Sequence, residues 1–345
     1  MNDLTQVRSE DRFDLEAVHS WLVEVIPELG SLPTVEQFRS GASNLTYLLT
    51  YPDRQLVLRK PPFGTKAASA HDMTREFAVQ KKLKEVFPLV PDVLALCQDP
   101  SVIGTDFYVM EKIPGTILRR NIPENSNLDI AAITTIGNLA ITGLVQLHQI
   151  DSNILADFNK GSGYVSRQVE GWSRRYRAAL TPDVPDAEIL MNWLHVNQPK
   201  DIASCVIHGD WRLDNLVFDM KETPALVGVL DWEMATVGDP LMDLGSALAY
   251  WIDRNDEGPF TQLRRQPSHL PGMPTREEFV HRYLELTNWE CDDFTFYEVF
   301  GLFRLTVIVQ QIWARYQSGQ TTNPAFSDFG STVHLLVTRA LGKIS

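Results

Sequence analysis

Residues 206–217 read VIHGDWRLDNLV. The apolar residues at both ends favour short buried strands, and the polar set between them predicts a tight loop that joins the two strands. Asp210 and Asn215 lie five residues apart in this loop. A second apolar run, residues 226–230, ends at Asp231, which therefore stands at the open end of a strand. Three oxygen-bearing side chains are thus presented by strand ends.

The spacing of these three side chains suits phosphoryl transfer. The Asp210 carboxylate can accept or orient the proton of an attacking hydroxyl, and the Asn215 amide oxygen can bind a hard Mg²⁺ ion. The Asp231 carboxylate can hold Mg²⁺ between the β- and γ-phosphates of ATP, because magnesium leaves positions for phosphate and water. The alternative is that Asp210 and Asn215 are turn residues and that Asp231 caps a strand. The complete pattern, HGDxxxxN followed 16 residues later by a strand-end Asp, favours the catalytic interpretation.

The composition is that of a globular protein and argues against several other classes. A net charge of -13 argues against a general nucleic-acid binder, which normally has a basic surface. A local arginine cluster could still bind an anionic ligand. The three cysteines, Cys97, Cys205 and Cys291, have no CxxC spacing and predict neither a disulfide framework nor a zinc site.

The N-terminal residues 1–13 are polar and do not resemble a signal peptide. We see no uninterrupted apolar run that approaches the length of a membrane span. A cytoplasmic protein without a membrane partner is therefore expected. The oligomeric state cannot be read from the sequence.

The first third of the chain has the pattern of a sheet with one important helix. Strand-like runs occupy residues 34–59, 93–96 and 106–111, and a helical pattern occupies residues 73–86. We predict that residues 1–112 form an N-terminal nucleotide-binding lobe built on an antiparallel sheet.

The remainder of the chain is mainly helical. Long apolar-periodic segments cover residues 128–150 and 294–315. Residues 113–345 are therefore predicted to form a larger, mainly helical lobe for catalysis and substrate binding. Strands first and helices later is the order of an α+β fold, here with two lobes. Residues 253–275, rich in Pro, Gly and charge, are predicted to be an exposed loop.

These features resemble the aminoglycoside phosphotransferase/choline kinase superfamily, relatives of protein kinases in which the catalytic loop reads HGDxxxxN. The resemblance spans residues 30–320, almost the whole chain. Within the superfamily the chain most resembles the kinase domains linked to acyl-CoA dehydrogenases, a branch that phosphorylates hydroxyl groups of hydroxyacyl-CoA substrates. The segments that carry this likeness are SGASNLTY at 40–47, VLRKP at 57–61, LHQID at 147–151 and GDPLMDL at 238–244.

The resemblance implies a bilobal protein-kinase-like fold that uses ATP and Mg²⁺. Carried over to this sequence, Asp210 is the catalytic base, and Asn215 and Asp231 are the metal ligands. The acceptor is then the hydroxyl of a small molecule, with a CoA thioester as the leading candidate.

The resemblance also places the phosphate-covering loop at Gly41, Ser43 and Asn44, between the first two strands and just before a predicted hairpin of residues 46–59. Backbone N–H groups there can contact phosphate oxygens, and the Ser43 hydroxyl can add a donor. The loop is poor in glycine, and the alternative is an ordinary hairpin turn.

A kinase of this type needs a cation on the third strand that pairs with a helix carboxylate. The alignment of VLR with the protein-kinase motif puts Arg59 at the lysine position. Adjacent strand residues point to opposite faces, so only one of Arg59 and Lys60 can enter the cleft. We favour Arg59, which departs from the usual lysine, and Glu76 as its partner. The alternative for Glu76 is a solvated helix residue.

Arg212 stands two residues after Asp210, where protein kinases place a lysine that contacts the transferred phosphoryl group. A guanidinium there could neutralise charge that develops during transfer. The alternative is a surface arginine that pairs with Asp214. The extended segment that includes Glu111 and Ile113 fits the hinge, where backbone groups would bind the adenine edge.

Three polar residues near the loop are expected to support it without touching substrate. His208 is expected to be a buried hydrogen-bonding residue, since the base role belongs to Asp210. Asp239 and Asp243 are expected to brace the loop.

Substrate clues lie outside the loop. On a helix, Arg167, Arg174 and Arg177 would form a basic stripe, and Arg119 and Arg120 lie just past the hinge. Such a stripe would suit the phosphates of coenzyme A, although a solvated helix face explains it equally well.

Other functions remain open at this point. A cationic aminoglycoside would need carboxylates around the acceptor, and a choline-type alcohol would need an aromatic cage. A third alternative is a non-catalytic nucleotide-binding module, against which the intact catalytic pattern argues. The sequence has no GxxxxGK[ST] motif, which excludes a P-loop kinase.

Overall fold

The computed structural model describes residues 4–39, 44–62, 72–123, 126 and 128–344. The chain divides into two compact units. The first unit is Met1–Gly115 together with Val227–Glu233, and the second is Thr116–Leu226 together with Met234–Ser345. A segment distant in sequence therefore belongs to the first unit and brings Asp231 into it.

The described part of the first unit is built on an antiparallel six-stranded sheet with the order β1-β2-β3-β4-β6-β5. The strands are β1 (Leu4–Thr5), β2 (Thr34–Phe38), β3 (Leu45–Thr50), β4 (Gln55–Lys60), β5 (Val93–Cys97) and β6 (Phe107–Glu111). The predicted hairpin is β3 and β4, paired from Leu45↔Lys60 to Thr50↔Gln55. Alternate apolar residues such as Leu49, Leu56 and Leu58 are buried in one core. The period of two follows from the pleat of the strands.

Helices α1 (Leu15–Val25), α2 (Met73–Lys84) and α3 (Pro100–Ile103) complete the described part of this unit. The Asp14 side chain accepts a hydrogen bond from the Ala17 backbone N–H and begins α1. Asp72 caps α2 in the same way, through the Arg75 N–H. The helix predicted at residues 73–86 is therefore confirmed to within its last turn.

The second unit is mainly helical. Its described helices are α4 (Ile130–His148), α5 (Tyr164–Ala179), α6 (Glu188–Val196), α7 (Pro240–Leu248), α8 (Arg276–Thr287), α9 (Thr295–Gln317) and α10 (Phe329–Leu341). Short antiparallel pairs lie among them, β7 (Thr116–Ile117) with β9 (Leu216–Asp219) and β8 (Cys205–Ile207) with β11 (Thr236–Gly238). Strand β10 (Ala225–Val229) runs from the second unit into the first.

Helix α4 is, in the described part of the chain, the one helix that is long and apolar enough to cross a membrane by length and composition. The sequence predicted this helix, over residues 128–150, but not its span-like apolar length, because threonines and an asparagine interrupt the apolar run. Half of its most apolar window is buried inside the unit. Ala140 accepts a hydrogen bond from the Trp211 indole over 3.0 Å. We therefore interpret α4 as the core helix of the second unit.

Helices α7 and α9 approach each other at two glycines. A Cβ on Gly245 would lie 2.2 Å from the Tyr297 carbonyl oxygen, and one on Gly301 would lie 2.0 Å from the Gly245 carbonyl oxygen. Backbones this close leave no room for a side chain. The contact fixes α7, which carries Asp243, against the longest helix of the unit.

The prediction of an exposed loop over residues 253–275 is wrong. The segment contains a short 3₁₀ helix, Gly258–Leu263, and it buries Phe260, Gln266, Ser268 and Met273. The sequence did not reveal these buried residues, because they follow no regular period and lie among Pro, Gly and charged residues. Helices α7 and α10 also went unpredicted.

Candidate active site

The loop that follows β8 is shaped by a glycine with a left-handed backbone. Gly209 has φ 80°, and a Cβ there would lie 2.8 Å from the Met234 Cβ. An L side chain would therefore meet both strain and a clash at this position. The sharp turn presents Asp210 at the end of a buried strand.

Asp243 on α7 holds the loop in place. Its Oδ2 accepts a hydrogen bond from the His208 backbone N–H and its Oδ1 accepts one from the Gly209 N–H, each over 2.8 Å. His148 Nε2 also lies 3.1 Å from Oδ2, and His148 Nδ1 lies 2.6 Å from the Tyr283 hydroxyl. Burial acts to raise the pKa of Asp243. These hydrogen bonds and the nearby His148 ring have the larger effect, and the pKa lies below its usual value. A buried carboxylate that accepts several N–H groups stays ionised.

The other expected supports divide their roles. His208 is fully buried, and its Nδ1 accepts a hydrogen bond from the Asp210 N–H over 3.2 Å. Asp239 does not brace the loop directly: it caps α7 through the N–H groups of Leu241 and Met242 and accepts the Ile202 N–H. Burial raises the pKa of Asp239 to about 6.

Asp210 and Asn215 are joined directly. The Asn215 amide nitrogen donates to the Asp210 backbone carbonyl over 2.9 Å and to its Oδ2 over 3.0 Å. Both hydrogen bonds use the nitrogen, and in the described part of the chain no hydrogen bond reaches the Asn215 amide oxygen. That oxygen is the atom that a hard cation would bind.

Arg212 lies between two carboxylates. Its Nε is 3.3 Å from Asp210 Oδ1 and 3.2 Å from Asp214 Oδ1, and its guanidinium lies over the Tyr250 ring, 4.6 Å from the centroid. Burial raises the pKa of Asp214, while Arg212 acts to lower it. Arg212 thus contacts both the predicted base and the alternative partner Asp214.

In the first unit, Arg59 lies between Glu76 and Asp231. Its Nη1 is 3.4 Å from Glu76 Oε1, and its Nη2 donates to Asp231 Oδ1 over 3.0 Å. All but 9% of the Arg59 side chain is buried, as is nearly all of Glu76, whereas 29% of the Asp231 side chain is exposed. Burial acts to lower the pKa of Arg59, but Glu76, Tyr108 and Asp231 raise it well above its usual value. A permanently charged arginine therefore anchors Asp231.

Lys60 takes the opposite face of the strand. Its Nζ lies 6.0 Å from the centre of the Tyr47 ring, in the buried core. Glu76, by contrast, forms its ion pair with Arg59 and accepts a hydrogen bond from the Tyr108 hydroxyl over 2.9 Å. The alternation of strand side chains thus puts Arg59, and not Lys60, beside the helix carboxylate.

The segment around Asp231 is held by further contacts that sequence reasoning missed. Asp231 has φ 66°, a conformation that Asp tolerates better than most residues. Asn44 Nδ2 donates to Glu233 Oε2 over 3.0 Å, and Arg75 donates to the Glu233 backbone carbonyl over 2.9 Å. Trp232 is fully buried. A pattern of charge two residues after a strand-end Asp was too weak to identify Glu233.

In the predicted hinge, two of the three backbone N–H groups already donate hydrogen bonds within the protein. The N–H of Glu111 donates to Asp92 and that of Lys112 donates to Gln55. Within the described residues no hydrogen bond uses the N–H of Ile113. Of the predicted hinge donors, this N–H is the one left to bind an adenine edge. The Glu111 side chain pairs with Arg54.

Two predicted residues, Gly41 and Ser43, lie outside the described residues. The basic stripe on α5 lies within them, and two of its members have intramolecular partners. Arg167 donates to the backbone carbonyls of residues 161 and 162, and Arg177 forms a two-pronged pair with Glu188 over 2.8 and 2.7 Å. Arg174 is exposed.

The described residues contain no group of three or more His, Cys, Asp or Glu side chains that could hold a metal ion. The oxygens that suit Mg²⁺ are instead one amide, Asn215 Oδ1, and one carboxylate, Asp231. Asp231 keeps an oxygen that accepts no hydrogen bond in the described part of the chain. Amide and carboxylate oxygens are each of the kind that a hard cation binds.

The chain is similar to known proteins over most of its length. Residues 34–279, more than half of the chain, match the phosphotransferase enzyme family (APH). Mouse acyl-CoA dehydrogenase family member 10 is 38% identical over 85% of this chain and 28% of its own length. Human acyl-CoA dehydrogenase family member 11 is 34% identical over 99% of this chain and 44% of its own length. The chain thus spans less than half the length of these relatives.

Solved structures confirm the predicted fold. A Ralstonia eutropha protein provisionally named an aminoglycoside phosphotransferase is 30% identical, with a TM-score of 0.79 over 96% of this chain and 98% of that one. Choline kinase from Cryptosporidium parvum is 15% identical, with a TM-score of 0.62 over 96% and 95% of the two chains. The α+β protein-kinase-like fold predicted from the sequence is therefore correct.

Proposed function

Because this chain belongs to the phosphotransferase enzyme family, we propose that it transfers the γ-phosphoryl group of ATP to an alcohol of a small molecule. The leading acceptor is a hydroxyacyl-CoA. One observation carries the proposal: the Asn215 amide nitrogen holds the Asp210 carboxylate, and the amide oxygen is left for a metal ion. This is the division of labour that phosphoryl transfer requires.

In this mechanism Asp210 accepts the proton of the attacking hydroxyl. Its Oδ2 already accepts a hydrogen bond from Asn215 and its Oδ1 faces Arg212, so the carboxylate is oriented before substrate arrives. Arg212 lies close enough to the base to stabilise negative charge on the transferred phosphoryl group. The position of the loop is fixed, because the Asp243 carboxylate accepts hydrogen bonds from the consecutive backbone N–H groups of His208 and Gly209.

Asn215 and Asp231 would hold Mg²⁺, which when bound neutralises charge on the β- and γ-phosphates. In the first unit, Arg59 keeps Asp231 oriented, and the Ile113 N–H is available to the adenine ring. Asn215 belongs to the second unit and Asp231 to the first. Joint binding of one ion is thus a prediction about the working enzyme.

The acyl-CoA acceptor is supported by the relatives. The curated proteins that match are named acyl-CoA dehydrogenase family members 10 and 11. A kinase segment within proteins so named is expected to act on a compound that carries an acyl-CoA group. The name of the Ralstonia protein favours an aminoglycoside as the second candidate.

The test is a screen of ADP release with hydroxyacyl-CoAs, aminoglycosides and choline-like alcohols as acceptors. We expect stimulation by a hydroxyacyl-CoA, and its loss in Asp210→Ala and Asp231→Ala. Asp219→Ala is the matched control, because Asp219 is half-buried and pairs with Lys221 at a distance of 3.3 Å. Stimulation that survives either Asp210→Ala or Asp231→Ala would contradict the mechanism. If only an aminoglycoside stimulates ADP release, the acceptor is an aminoglycoside and not a hydroxyacyl-CoA.

A further inference from the structure

Two arginines from distant parts of the second unit meet beside the catalytic loop. Arg264 donates one hydrogen bond to the backbone carbonyl of Arg120 and another to Asn121 Oδ1 over 3.1 Å. The two segments are 144 residues apart in the chain. Tertiary structure therefore places the Arg264 guanidinium against the backbone of the segment that carries Arg120.

Among the residues that the structure describes, Arg120 and Arg264 have no acidic partner. In the described part of the chain no carboxylate lies within ion-pair distance of Arg120 or Arg264. Burial lowers the pKa of Arg264, and the positive charge of Arg120 lowers it further. Like charges held together raise the local positive potential, which an anionic ligand would relieve.

A cavity of about 400 Å³ lies next to this contact, because Asn121, which accepts a hydrogen bond from Arg264, lines it. Apolar side chains, among them Ile122, Leu128 and Leu270, form much of its wall, and Asn121 and His269 add polar groups. His269 Nδ1 is buried and has no hydrogen-bond partner among the described residues. Arg264 is close enough to His269 to lower the pKa of its ring, after the larger effect of burial. A buried polar atom without a partner is costly unless a ligand or water satisfies it.

The same segment is tied to the catalytic loop. Gln266 accepts a hydrogen bond from the Leu213 N–H over 2.8 Å and donates to the Tyr250 carbonyl over 3.2 Å. Tyr250 in turn lies under Arg212. Two residues of chain span at most about 7 Å, so Arg264 lies near the loop that carries Asp210.

We propose that Arg120, Arg264 and the adjoining cavity bind the phosphate-bearing nucleotide part of the acceptor. This inference rests on the proposed function, because it assumes a CoA thioester as the acceptor. Guanidinium groups bind phosphate oxygens through paired hydrogen bonds, and the apolar wall suits the uncharged remainder of the ligand. The site is an alternative to the α5 stripe, where Arg177 is already paired with a carboxylate, Glu188.

The test uses the full chain and two acceptors with the same hydroxyacyl thioester, one on coenzyme A and one on pantetheine, which lacks the nucleotide. We expect Arg264→Glu to raise the KM for hydroxyacyl-CoA about tenfold or more, since charge-assisted hydrogen bonds are lost. The kcat, the KM for ATP and the constants for hydroxyacyl-pantetheine should stay the same. Arg120→Glu, which alters an exposed side chain, should act in the same direction and covers the case in which Arg264→Glu folds poorly.

Arg315→Glu is the control, because it makes the same change of net charge at an exposed residue on α9. An unchanged KM for hydroxyacyl-CoA in Arg120→Glu and in folded Arg264→Glu would overturn the inference. So would an equal loss with hydroxyacyl-pantetheine, or a rise in the KM for ATP, which would assign the arginines to ATP.

If no acceptor stimulates the wild-type protein, the proposed function fails but this inference is still testable. Calorimetric titration with free coenzyme A then decides it. Binding to the wild type that is lost in Arg264→Glu and Arg120→Glu, but kept in Arg315→Glu, would support the site. A wild-type protein that does not bind coenzyme A would overturn it.

Discussion

Arg59 donates a hydrogen bond to Asp231 over 3.0 Å, although the two residues are 172 positions apart in the chain. The same guanidinium lies 3.4 Å from Glu76, which is almost fully buried. Arg59 therefore has two tasks: it neutralises a carboxylate in the core, and it orients a carboxylate that reaches solvent. The two tasks can be separated by mutation.

Arg59→Met leaves Glu76 buried without its cation, which we expect to lower the free energy of unfolding by about 3–5 kcal/mol. Arg59→Met combined with Glu76→Leu removes the buried pair as a whole, so it should be more stable than Arg59→Met alone. Both variants should lose activity, because Asp231 is no longer oriented. Urea denaturation followed by circular dichroism measures the first effect.

Arg177→Met is the control for this comparison, since its partner Glu188 is largely exposed and the pair should add little stability. If the double variant is less stable than Arg59→Met, the unpaired charge of Glu76 is not the cause of the lost stability, and the prediction fails.

Asp243→Asn should damage the catalytic loop more than the fold. An amide in place of the carboxylate cannot accept all three of its hydrogen bonds, so at least one buried N–H, from His208 or Gly209, loses its partner. We expect a loss of at least about 2 kcal/mol in stability. The kcat should fall about tenfold or more, because Asp210 shifts, while the KM for ATP stays close to the wild-type value.

Ser246→Ala on the same helix removes a buried hydrogen bond to Met242 without touching the loop. It should cost some stability and leave kcat unchanged. Equal kcat values in the two variants would argue against a positioning role for Asp243.

Asp239 gives a pH dependence of defined sign. Its pKa in the folded protein is about 6, above the ordinary value of 3.8, because the carboxyl is buried. The folded state therefore binds more protons than the unfolded state between these two values, and stability from this group increases as the pH falls. Relative to Asp239→Asn, the wild type should gain up to about 3 kcal/mol between pH 7 and pH 4. Urea titrations of both proteins at several pH values measure this, and a difference that does not change with pH would contradict it.

Local spacing was enough to predict that Asp210 and Asn215 lie together in one loop. The five-residue interval between Asp210 and Asn215 is short, so the two side chains meet through the loop alone. The sequence also sufficed to place Arg59, and not Lys60, beside Glu76, because adjacent side chains of a strand point to opposite faces. The structure places these residues as the sequence suggested, and their roles in catalysis are still predictions.

Contacts made by distant segments could not be predicted. Residues 227–233 belong to the first unit, so this unit is made of two separate stretches of the chain. A single boundary in the sequence cannot describe it. The contact between Gln266 and Leu213 and the meeting of Arg264 with Arg120 depend on a segment that looked like an exposed loop. Its buried anchors are single polar or apolar residues without a period, and their burial is decided by tertiary packing.

The central claim is that Asp210 directs a phosphoryl group from ATP to a hydroxyl. Its most direct test is to incubate the full chain with ATP, magnesium and hydroxyacyl-CoAs of several chain lengths and to identify the products by mass spectrometry. We expect a product heavier by one phosphoryl group, and a rate lower by about 10²–10⁴-fold in Asp210→Asn. A hydroxyacyl-CoA phosphorylated equally fast by Asp210→Asn, or no phosphorylated product from any of them, would contradict the account.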